Sequence, residues 1–570
     1  MRELEKYNLW LDKAKEDPDL INDLKSIEKD KNEIYDRFYM DLTFGTAGLR
    51  GVLAAGSNRM NIYTVRKATK GLADYLNANY KNPSVAISYD SRKKSDLFAK
   101  ETAKVLAANN VKVYIVKELS PVPFLSFAVR SLKAQAGVMI TASHNPSQYN
   151  GYKCFGEDGS QLTENAANEV YNCIENNDIF NIEVEDFDKA IAENKISYIK
   201  DNVKEEYLKA VYEQSINKDV CQNANLKVVY TPLNGAGNKF VRSILDKIGV
   251  KNVSVVEEQE YPDGNFPTCK YPNPEVKEAL DLAIKKAKKE DADLVIATDP
   301  DSDRIGIAVK NKNEFKLITG NEVGIMLLEY ILSQKKNNKT LPERPFAVKT
   351  IVSTDLANKI AENYGCELKE VLTGFKYIGE QILNLEKKNE KDRFIFGFEE
   401  SYGYLSGTYV RDKDGIVAAM LICEMASFFK TQNKTLVEYL NSLYQKYGFY
   451  KNTLLNFNFT GTAVLDKMKN IMGEIRANPL KEIAGFKVLK LADYSISKKI
   501  NLETKEETHI DLPKSNVISY YLEGDNKVII RPSGTEPKIK VYITTVGKSM
   551  DDSKSITDKI SSHISEIIKV

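Results

Sequence analysis

No Cys-x-x-Cys pair occurs in this sequence: Cys154, Cys173, Cys221, Cys269, Cys366 and Cys423 are scattered along the chain. That spacing argues against a disulfide frame and against structural zinc, and fits free thiols in a reducing compartment. No charge of one sign dominates either, with Lys+Arg 81 against Asp+Glu 80. There is therefore no electrostatic case for a nucleic-acid or anionic-membrane surface, and any anion selectivity has to be local. Long hydrophobic runs are missing. The most apolar stretch, Gly415 to Phe429, is interrupted by Glu424 and is too short to span a bilayer, so it reads as a core helix. Met1 to Trp10 is charged and amphipathic, without a signal-peptide pattern, so the mature protein is expected to begin there and to be cytoplasmic. Internal repeats, low-complexity tracts and any sign of an obligate protein partner are also absent.

What is present is a globular composition, 42% hydrophobic and 28% charged over 570 residues. That length corresponds to roughly three to five domains. Strand-like runs at 85–89, 111–116 and 137–140 alternate with helical patterns at 96–108 and 121–132, which is α/β winding. After a charged helix around 201–217 come strands near 226–230 and 294–297, separated by a helical pattern at 275–289. A third unit starts near Gly320, has strands around 346–348 and 394–396, and ends before a helix at 435–447. Beyond Thr453, strands dominate with two helices, an α+β pattern. The expected domains are 1–200, 201–319, 320–447 and 448–570.

Three segments carry chemistry. Gly137 to Lys153 sets Ser143 at the mouth of the apolar strand Val138-Met139-Ile140, with turn dipeptides at Asn145-Pro146 and Asn150-Gly151 and a lysine ten residues on. A serine hydroxyl is a poor nucleophile until a base or a metal assists it, and Lys153 is a candidate proton carrier. In Asp293 to Gly306, a strand runs into Asp299, Asp301 and Asp303. Alternate residues of an extended backbone point the same way, and three converging carboxylates suit Mg²⁺. A calcium loop of the EF-hand type is excluded, because Arg304 stands where it needs glycine and Lys310 where it needs glutamate. Finally, Lys527 to Tyr542 breaks between two strands into Arg531, Ser533, Gly534 and Thr535, a pattern suited to gripping phosphate.

In this order the segments resemble the α-D-phosphohexomutase superfamily of phosphoglucomutases, phosphomannomutases and their relatives. Thr141-Ala-Ser-His-Asn-Pro146 is similar to its phosphoserine loop and Asp299-Pro-Asp-Ser-Asp-Arg304 to its magnesium loop. Gly397-Phe-Glu-Glu-Ser-Tyr-Gly403 resembles its sugar-recognition loop and Arg531-Pro-Ser-Gly-Thr-Glu-Pro537 its phosphate-binding loop. Phe44 to Gly51, Thr373 to Lys376 and Asp412 to Gly415 look like the long subfamily, which includes phosphopentomutases and glucose-bisphosphate synthases.

The resemblance implies an α/β fold of four-domain phosphohexomutase architecture: three related α/β domains plus a C-terminal α+β domain around a central cleft. It implies a phosphoserine at Ser143, with Mg²⁺ held by Asp299, Asp301, Asp303 and the Ser143 phosphate. Lys153 would relay the proton with a depressed pKa, Arg50 would add positive charge, and His144 would orient the loop. Arg304 would help orient the transferring group. Glu399 and Ser401 would bind sugar hydroxyls, Arg531, Ser533, Gly534 and Thr535 the distal phosphate, and Thr373, Gly374 and Lys413 would complete the substrate shell.

The implied reaction interconverts glucose 1-phosphate and glucose 6-phosphate, with glucose 1,6-bisphosphate as intermediate and activator. The partner is a small sugar phosphate, with no nucleic acid and no membrane. Phosphomannomutase, phosphopentomutase and glucose 1,6-bisphosphate synthase remain alternatives among enzymes, and a non-catalytic sugar-phosphate sensor outside them. Gly403 stands where the dual-specificity phosphomannomutase pattern has a histidine, which puts a histidine-dependent proton relay in doubt.

Overall fold

The structure is a computed structural model that describes residues 2–45, 48–459, 464–533 and 538–568. The chain divides into two compact units, the first comprising 1–320, 378–397 and 401–435, the second 321–377, 398–400 and 436–570. Three α/β domains and a C-terminal α+β domain make up the fold.

The first unit opens with helices Arg2–Lys13, Pro18–Ser26 and Lys31–Phe38, which the sequence reading had not identified. The second and third start at side-chain caps from Asp17 and Asp30. The first packs Trp10 edge-on against Phe38, Tyr63 and Phe180, burying the chain's single tryptophan.

Six strands follow: β1 (Gly48–Val52), β2 (Ser84–Tyr89), β3 (Lys112–Ile115), β4 (Ala136–Ile140), β5 (Tyr149–Gly156) and β6 (Ile196–Tyr198). They form one sheet in the order β1-β5-β4-β2-β3-β6. The pairs β4–β2, β2–β3 and β3–β6 are parallel, whereas β5 runs antiparallel to both β4 and β1. Every residue of β4 is buried, as a continuous apolar run flanked on both sides requires.

The second sheet uses β7 (Lys227–Thr231), β8 (Asn252–Val255), β9 (Leu294–Thr298), β10 (Ile305–Asn311) and β11 (Glu314–Ile318), in the order β11-β10-β9-β7-β8. Here β9 and β10 are an antiparallel hairpin pairing Thr298 with Ile305. The charged helix ends at Tyr212, earlier than expected. Gly415–Lys430 is a core helix, and its buried Glu424 is tolerated because Ser215 Oγ and the N–H groups of Ile216 and Asn217 donate to it.

In the second unit, β12 (Phe346–Thr350) and β13 (Glu367–Val371) pair in parallel. The C-terminal antiparallel sheet carries the strands Phe449–Asn458, Lys538–Gly547, Lys527–Pro532, Ile518–Leu522 and Phe486–Asp493. Helix Met550–Ile567 covers it, sending Ile560 and Ile564 into a core with Tyr520 and Val528.

Lys349 is fully buried at the centre of an ionic network, 2.9 Å from Asp355 and 2.8 Å from Glu370. Lys527 joins it at 2.6 Å from Asp355 and also donates to the Ile351 carbonyl. Among the described residues, no helix is long and apolar enough to cross a membrane.

Candidate active site

Ser143 lies just past the end of β4, where ligands bind in open α/β sheets. Its φ of 50° is in the left-handed region, which costs a non-glycine residue on the order of 1 kcal/mol. Neighbours hold it there. Thr141 Oγ1 accepts from the Ser143 N–H at 2.8 Å and itself donates to Asp90 at 2.6 Å. From beneath, the buried Arg92 guanidinium donates to the carbonyls of Ser143, Asn145, Pro146 and Tyr149. Arg92 and Asp90 escaped the sequence reading. The signal was available, because Asp90-Ser-Arg92 follows β2 as the serine loop follows β4, at the same carboxyl edge.

Of the two turn dipeptides, Asn145-Pro146 lies in the turn and Asn150-Gly151 does not. The chain reverses between Ala142 and Tyr149, and Asn150-Gly151 lies inside β5. Asn150 is wholly buried and donates to Lys93 O and Ser95 Oγ. Gly151 is needed for a close approach: a Cβ there would meet Thr141 O at 2.6 Å and Leu49 O at 2.7 Å. As a result β5 sits between β4 and β1, and it presents Lys153 opposite Met139 and Gly48.

The acidic loop joins β9 to β10 as a turn, not as the extended segment expected. Ser302 N–H donates to Asp299 O at 2.9 Å, and Ser302 adopts a φ of 55°. Reversal, rather than strand alternation, brings the carboxylates together, with one oxygen of each of Asp299, Asp301 and Asp303 within 4.8 Å of the others. Asp301 Oδ1 and Asp303 Oδ1 are buried and accept no hydrogen bond. Buried carboxylate oxygens left bare are costly, and a hard divalent cation with oxygen ligands satisfies them. The residues fit Mg²⁺.

Ser143 Oγ donates to Asp299 Oδ2 at 2.8 Å and lies 3.2 Å from His144 Nδ1. Lys153 Nζ is 2.8 Å from Asp301 and 3.6 Å from Asp303, and Lys413 is 3.2 Å from Asp303 and 3.0 Å from Asp412. Arg304 donates its N–H to Asp299 and its guanidinium to Glu275. Arg50, the exposed residue of β1, donates to Asn145 Oδ1.

Burial and the neighbouring aspartates push Asp299 far above the usual carboxylate range. For Asp301, burial is outweighed by Lys153, and the carboxyl sits well below that range. His144 is held neutral by burial and by the charges of Arg304 and Arg50. The expected depression of Lys153 is not found. Burial lowers its pKa, but Asp301 and Asp303 outweigh burial and raise it above the ordinary lysine value.

Ser401, in the first unit, is half-buried in the turn before the short strand Gly403–Leu405. The second unit carries the remaining candidates. Arg531 is the last residue but one of the strand Lys527–Pro532. Glu399 is buried, and its neighbour Glu400 accepts from Thr350 Oγ1 at 3.2 Å. Gly374 has a φ of 122°, so Thr373-Gly374 is a turn that wants glycine. Ser533 donates its N–H to Lys538 O. Gly534 and Thr535, together with Thr46 and Ala47 of the N-terminal motif, lie outside the described residues.

Comparison with known proteins decides what this arrangement belongs to. The domains described as phosphoglucomutase/phosphomannomutase alpha/beta/alpha domains I, II and III match residues 41–180, 205–313 and 319–447, and the C-terminal domain of that family matches 499–549. The chain belongs to the phosphoglucomutase/phosphomannomutase family. A phosphoglucomutase of Staphylococcus aureus strain MSSA476 is 38% identical over 98% of both chains, and one of the bovine strain RF122 is 39% identical over 93% of both. A putative phosphomannomutase from Thermus thermophilus shares the fold with a TM-score of 0.69 at 21% identity, over 93% of this chain and 100% of that one. The three N-terminal helices precede the first family match, whereas Arg92 and the serine loop fall inside it.

Proposed function

We propose that this chain is a phosphoglucomutase interconverting glucose 1-phosphate and glucose 6-phosphate through a phosphoserine at Ser143 and a glucose 1,6-bisphosphate intermediate. The observation that carries the reading is the convergence of a strained, buried serine on a three-aspartate cluster with two lysines. Identity of 38% to phosphoglucomutases over 98% of both chains supports the sugar assignment.

Phosphoryl transfer depends mainly on positioning and charge neutralisation. Mg²⁺ bound by Asp299, Asp301 and Asp303 would withdraw charge from the phosphoryl oxygens. In the first half-reaction the phosphoserine Oγ–P bond breaks as a sugar oxygen bonds to phosphorus, and the sugar hydroxyl proton leaves. Lys153 is the candidate carrier of that proton. Protonated as it stands, it has first to release its own proton to solvent, which requires that Asp301 and Asp303 no longer hold its charge, and the neutral amine then takes the sugar hydroxyl proton. Arg304, Arg50 and Lys413 surround the transferring group with positive charge, and His144, neutral, orients Ser143.

In the second unit, Arg531 with Ser533, Gly534 and Thr535 would hold the phosphate that is not reacting. Glu399, with Ser401, would read the sugar hydroxyls, and Thr373 and Gly374 would complete the shell. The bisphosphate then turns and returns its other phosphoryl group to Ser143, so the net reaction is an isomerisation. We also read residues 200, 319 and 447 as the domain edges, and the six free cysteines as supporting a cytoplasmic location.

A coupled assay comparing glucose, mannose and ribose 1-phosphates under matched Mg²⁺ and glucose 1,6-bisphosphate tests the assignment. Glucose 1-phosphate is expected to be preferred, with peptide mapping placing the phosphate on Ser143. Full activity in Ser143→Ala would sink the proposal.

A further inference from the structure

The first unit contains a cavity of about 1080 Å³ that none of the residues of the serine and aspartate cluster lines. Its walls come from the Lys117–Ser120 loop, the Asp201–Tyr212 helix, the Asn238–Lys247 helix and the Glu260–Pro262 turn. One part is cationic. Lys117, Lys200, Lys204, Lys239 and Arg242 face Glu118, Asp201 and Glu260, which leaves two positive charges in excess. Arg242 is paired with Glu260 at 2.8 Å, and Lys239 with Glu118.

Lys204 differs from these. Among the described residues no carboxylate lies within ion-pair distance of it, and its ammonium sits 4.6 Å from the centroid of Phe240. Burial, and after it the nearby Lys239, hold its pKa below the ordinary lysine value, although Glu118 and Asp201 pull the other way. Glu118 is the mirror case: Lys239 pulls its pKa down, and Lys204 and Lys117 add to the pull. Glu118 therefore stands before three lysines, with Asp201 as a second carboxylate acting on Lys204.

The other part of the wall is apolar and aromatic. Phe124 and Phe240, their ring centroids 5.5 Å apart, are buried and show the cavity only an edge, whereas Tyr261, 71% exposed, offers the open ring among the lining residues. A large cavity that joins an apolar wall to a few convergent charges has the form of a small-molecule site.

We propose that this cavity binds a phosphate ester with an aromatic body, the phosphate displacing Glu118 from Lys239 and Lys204 and the body lying against Phe124 and Tyr261. A dianion gains more than a carboxylate from the same ammonium groups. The cavity also backs onto the aspartate loop. Ala236, in its wall, donates to Pro300 O at 2.8 Å, and Val122, between the lining residues Ser120 and Phe124, donates to Asp301 O at 2.9 Å.

Equilibrium dialysis of the full-length protein with labelled AMP, in saturating glucose 6-phosphate, tests this. One AMP per chain is expected to remain bound. Lys204→Met and Lys239→Glu should each weaken binding by about tenfold or more, a loss typical of a charge-assisted contact. Glu118→Gln should tighten it about threefold or more, because the competing charge is gone. A purely structural role for Glu118 would not produce that gain. Ribose 5-phosphate and inorganic phosphate should compete about tenfold more weakly than AMP. The proposal is overturned if no AMP binds at about 5 mM, if glucose 6-phosphate displaces it fully, if all three variants bind like the wild type, or if ribose 5-phosphate competes as well as AMP.

Discussion

Arg92 shows how much one side chain decides here. Four carbonyls of the serine loop converge on it, so the left-handed turn at Ser143 is imposed by a residue from another loop. Replacing it with methionine keeps the bulk and removes every donor. Because a displacement of about 1 Å costs on the order of 10² in rate, Arg92→Met is expected to lower kcat by about that factor with KM for glucose 1-phosphate little changed. An equal rise in KM would show that the clamp serves substrate binding instead. At the aspartate loop, Asp301→Ala removes the partner of Lys153 and one bare oxygen, and turnover should fall by about 10² or more, as for other lost charge stabilisers. A second readout is independent of turnover. Mg²⁺ should raise the melting temperature of EDTA-treated wild type, by binding only the folded state, and should leave Asp301→Ala unmoved. A wild type indifferent to Mg²⁺ in both measurements would contradict the metal assignment.

The elements test anchoring and specificity. Arg531, the last residue but one of a strand of the C-terminal sheet, would hold a phosphate in ground and transition states alike, so Arg531→Ala should raise KM more than it lowers kcat. A normal KM with a large fall in kcat would remove the anchor role. In the Gly397–Gly403 loop, a pentose leaves polar groups unpaired at a cost of about 1–3 kcal/mol. Glucose 1-phosphate should therefore exceed ribose 1-phosphate in kcat/KM by at least about tenfold, and Ser401→Ala should narrow the gap. Elements were legible in the sequence where one signal sufficed. Continuous apolar runs marked β4 and β9, and their polar ends marked Ser143 and the three aspartates. Signals with two meanings misled: Asn150-Gly151 reads as a turn, but the glycine is there because two neighbouring carbonyls leave no room for a Cβ. The convergence of Asp299, Asp301 and Asp303 was expected from strand alternation and arises from the reversal at Ser302, which nothing in serine itself announces. The direction of the Lys153 shift depended on Asp301 and Asp303, about 150 residues away, a pairing that only tertiary structure reveals.

At the scale of the whole molecule, both units bury charged groups. The second has the buried network of Lys349, Asp355, Glu370 and Lys527. Burial raises the pKa of Asp355 and of Glu370, but Lys349 and Lys527 outweigh it, so both carboxyls titrate below their unfolded values. Their stabilising contribution is present above the unfolded carboxylate range near about pH 4 and is lost as pH falls through the folded values. Asp355→Asn is therefore expected to lower the melting temperature at neutral pH and to flatten its decline on acidification; an unchanged acid slope would show that the network does not carry this dependence. On the alkaline side Lys349 is shifted up and Lys527 down, so the two act in opposite directions. The first unit poses a question of timing instead. The hairpin of β4 and β5 is local and quick to close, while the Arg92 clamp joins residues 51 positions apart across a sheet that has to exist first. The geometry of Ser143 is thus expected to be a late product of folding: a refolding chain should regain its sheet before it regains the serine conformation that the proposed phosphoryl transfer requires, and a fragment bearing the serine motif without the Asp90–Arg92 loop would own the residue without the geometry.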